Sequence, residues 1–222
     1  KHGWGDVSPF KHSEHALYKK LLKGLQNQTS REELEALIAK WPGPLAFGIG
    51  AALAELDGLI QLTSKQGWLK PPTSAILLPK NKYILNIIDS LKMNQANPNQ
   101  PFTLKWKIAR NTSKEEESLL FKILNCLPPN ARLRLDANAG LNWNQAQKWA
   151  KHFHADPRLE WFEQPLPAND LAGLFKLSEE IPVALDESLF EQPSLRKNWQ
   201  SWQVRRPLLE GDPRKLLKEL NE

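Results

Sequence analysis

An α/β protein, with consecutive parallel strands joined by helices, is the fold class this sequence predicts, and three observations predict it. Three apolar runs each end on an acidic residue: Leu133-Arg134-Leu135-Asp136, Leu159-Glu160-Trp161-Phe162-Glu163 and Val183-Ala184-Leu185-Asp186. The acids stand 27 and 23 residues apart (163 − 136 and 186 − 163), room for one helix and its turns. The segments between them carry helical periodicity, so the pattern repeats as strand, helix, strand, helix. In a barrel of such units the C-terminal strand ends gather at one mouth. Three carboxylates converging there repel one another unless something positive neutralises them. A hard divalent cation such as Mg²⁺ suits carboxylate oxygen.

The elements follow in order. Gly3 to Phe10 reads as a strand end running into a loop. Ser30-Arg31-Glu32-Glu33 is a capping box, in which serine and glutamate side chains satisfy free amides at a helix start. Leu34, Leu37, Ile38 and Trp41 form its apolar face, and Pro42-Gly43-Pro44 reads as its stop. A second helix is expected from roughly Ala46 to Leu59, and its many small residues imply close packing against a neighbour. Lys70-Pro71-Pro72 marks a linker, dividing the chain into residues 1–72, part of an N-terminal domain, and 73–222, the repeating portion.

Beyond the linker, Ala75-Ile76-Leu77-Leu78 is expected as a buried strand, Tyr83 to Met93 as a helix and Phe102 to Lys107 as a strand. Ser113-Lys114-Glu115-Glu116 is a second capping box, ahead of Leu119, Leu120, Ile123 and Leu127. Asn142-Trp143-Asn144-Gln145 caps a third helix, with Ala146, Trp149, Ala150 and Phe153 on one face. Asn169 opens a short helix ending near Ser178, and Trp202-Gln203-Val204-Arg205-Arg206 is the last strand. About six strands result. Six do not close a barrel, so two or so more are expected after Glu222. The chain opens at Lys1 and its only methionine is Met93, so upstream sequence is expected to be absent too.

Composition bounds the function. With 222 residues, 41% hydrophobic and 25% charged, the chain can bury a sizeable core and is not of disordered type. No apolar run reaches membrane-spanning length and no secretory signal opens the chain, so a cytoplasmic protein without a membrane partner is expected. The single Cys126 excludes an internal disulfide and a cysteine zinc cluster. Net charge is +5, from 30 basic and 25 acidic residues without a basic run, so no nucleic-acid partner is expected. The nine tryptophans sit mostly in apolar or strand-like contexts, where core packing accounts for them. His12 and His15 lack a third nearby ligand, and His152 and His154 sit near a helix end; all four are assigned to the surface.

Four motifs then point to a family. Lys105-Trp106-Lys107, Leu133-Arg134-Leu135-Asp136-Ala137-Asn138, Trp161-Phe162-Glu163-Gln164-Pro165-Leu166 and Ala184-Leu185-Asp186-Glu187-Ser188 resemble successive motifs of the enolase superfamily. Within it, the chain is most similar to the o-succinylbenzoate synthase family, and Ala46 through Leu56 resembles that family's capping-domain helix. The resemblance implies an enolase-type barrel, incomplete here, with part of an α+β capping domain. It also implies Mg²⁺ held by Asp136, Glu163 and Asp186, a small carboxylate substrate, and an enediolate formed when a neighbouring carbon loses its proton. Lys107 matches the family's general base. Lys105 is two residues away on a strand, so the two side chains share a face. Two ammonium groups beside a divalent cation disfavour protonation, which is expected to lower the lysine pKa. Asn138 and Gln164 are candidates to orient the metal ligands, ordinary loop hydrogen bonding being the alternative.

Arg206 departs from the family pattern, which places a lysine there, facing Lys107. Arginine stays protonated at ordinary pH and cannot readily act as a base. A two-base racemase or epimerase would be crippled, whereas a syn dehydration needs one acid–base residue. The resemblance therefore implies dehydration of 2-succinyl-6-hydroxy-2,4-cyclohexadiene-1-carboxylate in menaquinone or phylloquinone biosynthesis. The rivals are an N-succinylamino acid racemase or dipeptide epimerase, and a non-catalytic fragment.

Overall fold

A computed structural model describes residues 2–25, 28–60, 74–79, 83–93 and 101–221. In chain order the elements are α1 (Glu14–Lys23), α2 (Arg31–Ile38), α3 (Gly43–Leu56), β1 (Ile76–Leu77), α4 (Ile84–Met93), β2 (Thr103–Lys107), α5 (Ser113–Cys126) and β3 (Arg132–Asp136). Then follow α6 (Trp143–Ala155), β4 (Leu159–Glu163), α7 (Leu171–Ser178), β5 (Val183–Leu185), α8 (Glu187–Glu191), α9 (Leu195–Asn198), β6 (Trp202–Gln203), α10 (Pro207–Glu210) and α11 (Pro213–Asn221). They form two compact units: Lys1–Lys70 with Arg206–Glu222, and Pro71–Arg205. Residues 206–222 thus group with the N-terminal segment rather than with the strand–helix portion, where the sequence places them. The Lys70-Pro71-Pro72 linker lies outside the described residues.

In the first unit α3 is the hub. Its glycines let backbone approach: a Cβ on Gly43 would lie 1.9 Å from Leu209 O, and one on Gly48 2.6 Å from Asp6 O. The expected close packing of this small-residue helix is therefore observed, against α10 and against the segment before α1. Helix α2 starts on the expected Ser30–Glu33 capping box. Two expectations change. Pro42-Gly43-Pro44 opens α3 rather than merely ending α2, because proline fits the first helical turn, whose amides have no partner within the helix. Residues 2–9 contain no strand. An ion-pair network joins this unit: Arg31 meets Glu35 and Asp57, and Arg214 meets Glu35 and Asp212.

The second unit is a six-stranded sheet in the order β1-β2-β3-β4-β5-β6, with every described pairing parallel. Strictly sequential order is that of a barrel wall; a doubly wound sheet would reverse direction partway. One face is apolar. Leu104, Trp106, Leu133, Leu135, Phe162, Val183 and Leu185 pack there with Leu120 and Ile123 of α5, Trp149 and Phe153 of α6, and Leu174 and Leu177 of α7. The opposite face carries the alternate residues, among them Lys105, Lys107, Asp136 and Glu163.

Several boundaries differ from the sequence reading. Strand β1 is two residues long and exposed, with Leu78 buried just beyond it, because among the described residues it lies at the sheet edge and pairs with β2 alone. Strand β6 stops at Gln203, although Val204 N–H still donates to Leu185 O at 2.8 Å. Arg206, expected within that strand, instead precedes Pro207 and caps α10. Helix α7 is capped by Asp170, not Asn169, through Gly173 N–H. Helix α5 is capped by Thr112 with Glu115, one residue earlier than expected, and Glu116 is used otherwise. Asn142 and Gln145 form the expected box on α6. No helix among the described residues is long and apolar enough to cross a membrane.

Candidate active site at the strand ends

The sheet register decides which side chains meet. Lys105 pairs with Arg134 and Lys107 with Asp136 across β2 and β3, so both lysines lie level with the acid-bearing end of β3. Between β3 and β4 the register slips: Leu133 faces Leu159, but Arg134 faces Trp161. This bulge at Glu160 matters. Without the extra residue, Phe162 would face Asp136 and Glu163 would be displaced by one position, onto the other face. With it, Glu163 stands directly opposite Asp136. Ala184 then pairs with Glu163, and Asp186 follows two residues later, just past β5.

The result is a buried acidic cluster beside two lysines. Asp136, Glu163 and Asp186 are 1%, 1% and 4% exposed. Lys105 Nζ bridges Glu163 Oε1 at 2.6 Å and Asp136 Oδ2 at 2.9 Å. Lys107 Nζ lies 3.5 Å from Asp136 Oδ2 and donates to Asn138 Oδ1 at 2.9 Å. Burial pushes the Glu163 carboxyl upward, and the charges of Asp136 and Asp186 add to this against the opposing pull of Lys105. Lys105 is shifted too. Burial pulls its pKa down, but hydrogen bonds and charge from Glu163 and Asp136 outweigh it, and the net shift is upward. That is opposite to the direction expected beside a divalent cation, since here the carboxylates are compensated by the lysine itself.

The two candidate orienting residues are both engaged. Asn138 N–H donates to Asp136 Oδ1 at 3.0 Å, and its side-chain Nδ2 donates to Glu187 Oε1 at 3.3 Å. Gln164 is fully buried and uses all four of its amide positions. Its Oε1 accepts from Asp186 N–H and Ser188 N–H, each at 3.1 Å, while Nε2 donates to Leu166 O at 3.0 Å and Ser188 Oγ at 2.8 Å. It therefore ties the end of β4 to Asp186 and Ser188, on either side of the first residue of α8. Among the described residues, four other than glycine have left-handed backbone, Ala109, Asn138, Ala139 and Gln164, and all follow the ends of β2, β3 and β4. Such conformations cost free energy and cluster where a site imposes them.

Do these residues fit a metal? As the side chains stand, no group of three His, Cys, Asp or Glu among the described residues is arranged to hold an ion. The donor chemistry nonetheless fits a hard divalent cation: three buried carboxylates on adjacent strand ends, two of them already bridged by a cationic group. Arg206 falls in the other compact unit, with Lys1–Lys70. Its backbone N–H donates to Glu210 Oε1 at 2.7 Å. Glu187, Ser188 and Arg110 joined the network without having been assigned roles from sequence. Glu187 and Ser188 had a visible signal, their place directly after Asp186.

Comparison with known proteins places this geometry. Residues 98–203 match the family described as enolase C-terminal domain-like, which spans β2 to β6 and every residue of the acidic cluster. That segment, just under half of the chain, resembles the C-terminal domain of the enolase superfamily. Among the similar proteins, the o-succinylbenzoate synthase of Thermosynechococcus vestitus is 27% identical over 228 residues, covering 95% of this chain and 65% of that protein. The chain thus spans less than two thirds of that relative's length. The crystal structure of o-succinylbenzoate synthase from Thermosynechococcus elongatus BP-1, complexed with Mg in its active site, superposes with a TM-score of 0.76. Its identity is 26%, over 99% of this chain and 68% of that one. A substrate-liganded L-Ala-D/L-Glu epimerase from Bacillus subtilis shares the fold, with a TM-score of 0.67 at 21% identity over 90% of this chain and 61% of that one.

Proposed function

We propose that this protein is an enolase-superfamily enzyme that catalyses the Mg²⁺-dependent syn dehydration of 2-succinyl-6-hydroxy-2,4-cyclohexadiene-1-carboxylate to o-succinylbenzoate, in the cytoplasm, for menaquinone or phylloquinone biosynthesis. One observation carries the reading: three buried carboxylates at successive strand ends face two lysines from the neighbouring strand. The likeness to o-succinylbenzoate synthases supports the choice of reaction. A cation bound by Asp136, Glu163 and Asp186 would hold the substrate carboxylate and stabilise the negative charge that grows as the adjacent carbon is deprotonated.

Lys107, as the neutral amine, takes that proton and returns it to the departing hydroxyl on the same face. One C–H and one C–O bond break, water leaves, and the ring becomes aromatic. Lys105, displaced from its carboxylate partners, supplies positive charge to the developing oxyanion. An arginine at position 206, where the resemblance places a lysine, offers no second base, which disfavours a racemase or epimerase.

The test is turnover of the cyclohexadiene substrate with Mg²⁺, followed by appearance of the aromatic product. Lys107→Ala is expected to abolish turnover while Mg²⁺ binding by calorimetry persists. Ordinary activity in that variant would remove Lys107 from the mechanism. Solvent deuterium exchange at the α-carbon of both enantiomers of an N-succinylamino acid would point to the racemase instead.

A further inference from the structure

Among the described residues, four acids are buried in the sheet unit: Glu116, Asp136, Glu163 and Asp186. The proposed chemistry uses three. Glu116 is 2% exposed, sits in the first turns of α5, and turns back toward the end of β2. Its Oε2 accepts Ala109 N–H at 2.9 Å; its Oε1 accepts Arg110 N–H at 2.8 Å and Asn111 N–H at 3.0 Å. Three successive amides thus wrap one carboxylate, the arrangement of an anion nest whose anion the protein supplies itself. The left-handed Ala109, at φ 59°, is the departure from right-handed backbone that such a nest needs. Helix α5 does not require Glu116 for its start, since Thr112 and Glu115 complete its capping box.

The clamped loop begins two residues after Lys107. Arg110 Nη2 lies 3.3 Å from Asn138 Oδ1, the oxygen that also accepts from Lys107 Nζ at 2.9 Å. On the other side, Ile108 N–H donates to Asp136 O at 2.9 Å. The backbone carrying Lys107 is therefore held between the sheet and the Glu116 nest. A loop that relaxed by an ångström would carry the ammonium off Asn138. We propose that Glu116 is a positioning residue, fixing the amine of Lys107 against Asn138 and Asp136 by clamping residues 109–111. This rests on the reading of Lys107 as the acid–base residue.

The decisive variant is Glu116→Gln. Both oxygens of Glu116 accept, so an amide, with only one acceptor, must strand at least one loop N–H. Three readouts are expected: faster hydrogen exchange of amides 109–111, faster acetylation of Lys107 measured by mass spectrometry, and kcat lower by about 10- to 100-fold at unchanged KM. Glu115→Ala, which removes the side-chain half of the helix cap alone, is the control and should lower the melting temperature without changing Lys107 labelling or kcat. Faster exchange of 109–111 in Glu116→Gln with unchanged labelling and kcat would show a merely structural clamp and overturn the proposal. If the parent protein does not turn over the substrate, the proposed reaction falls by itself. Lys107 labelling then decides: a rise in Glu116→Gln supports positioning, and no change refutes it.

Discussion

Replacing Gln164 by methionine should destabilise the sheet unit more than any comparable exchange of a buried amide for a thioether. Methionine nearly matches glutamine in length, so little cavity opens, and the left-handed backbone at φ 36° is strained equally in both. What changes is hydrogen bonding. Asp186 N–H and Ser188 N–H lose their shared acceptor, and Leu166 O and Ser188 Oγ lose their donor. Ser188 Oγ keeps its contact with Ala168 O at 3.3 Å, so the two amides dominate the loss. Each stranded buried donor costs about 1–3 kcal/mol, and about 3 kcal/mol for the pair is a conservative figure. With a urea dependence of about 2 kcal/mol per M, the midpoint should fall by about 1.5 M. Native-state hydrogen exchange of β4 and β5 amides reads this unit without interference from the other. Gln203→Met is the control: its Nε2 donates to carbonyls at a half-buried position, and about 1 kcal/mol or less is expected. Equal effects of the two substitutions would refute the claim that Gln164 links the two strand ends.

Two further outcomes follow from the same geometry. Thr112→Ala should cost about 1 kcal/mol in thermal unfolding, as loss of an N-cap does, whereas Ser113→Ala at the first helical position should be close to neutral; the reverse order would restore the cap that sequence alone predicts. Bonds from the Arg158 side chain hold the Asp156 carboxyl below its ordinary value against the smaller upward push of burial. The unfolded chain therefore takes up the proton first as pH falls. The stabilisation is complete above about pH 4 and is lost as pH drops through the lowered folded-state pKa. Asp156→Asn should accordingly be less stable than the parent at neutral pH, with the difference shrinking under acid in urea titrations. A difference that stays constant down to pH 2 would exclude this ion pair as its source.

What the sequence made legible, and what it did not, divides by the range of the interaction. Alternation placed Lys105 and Lys107 on one face, and the acidic strand ends were visible from Asp136, Glu163 and Asp186, because strand periodicity is a local property. Whether those acids would lie level was not local. It depends on the bulge at Glu160, which nothing in Leu159–Glu163 announces, and which only pairing with β3 reveals. The grouping of residues 206–222 with α3 is hidden for the same reason, since the approach of Leu209 to Gly43 spans most of the chain. Glu116 is the sharpest case. Thr112-x-x-Glu115 and Ser113-x-x-Glu116 are two registers of one capping pattern, and local rules rank them about equally. The choice is made by the amides of residues 109–111, whose acceptor is Glu116, reaching back from the helix. Satisfying that loop frees the earlier register to cap α5. A helix boundary one residue from its expected place is thus the trace, in secondary structure, of a demand set beside the candidate base.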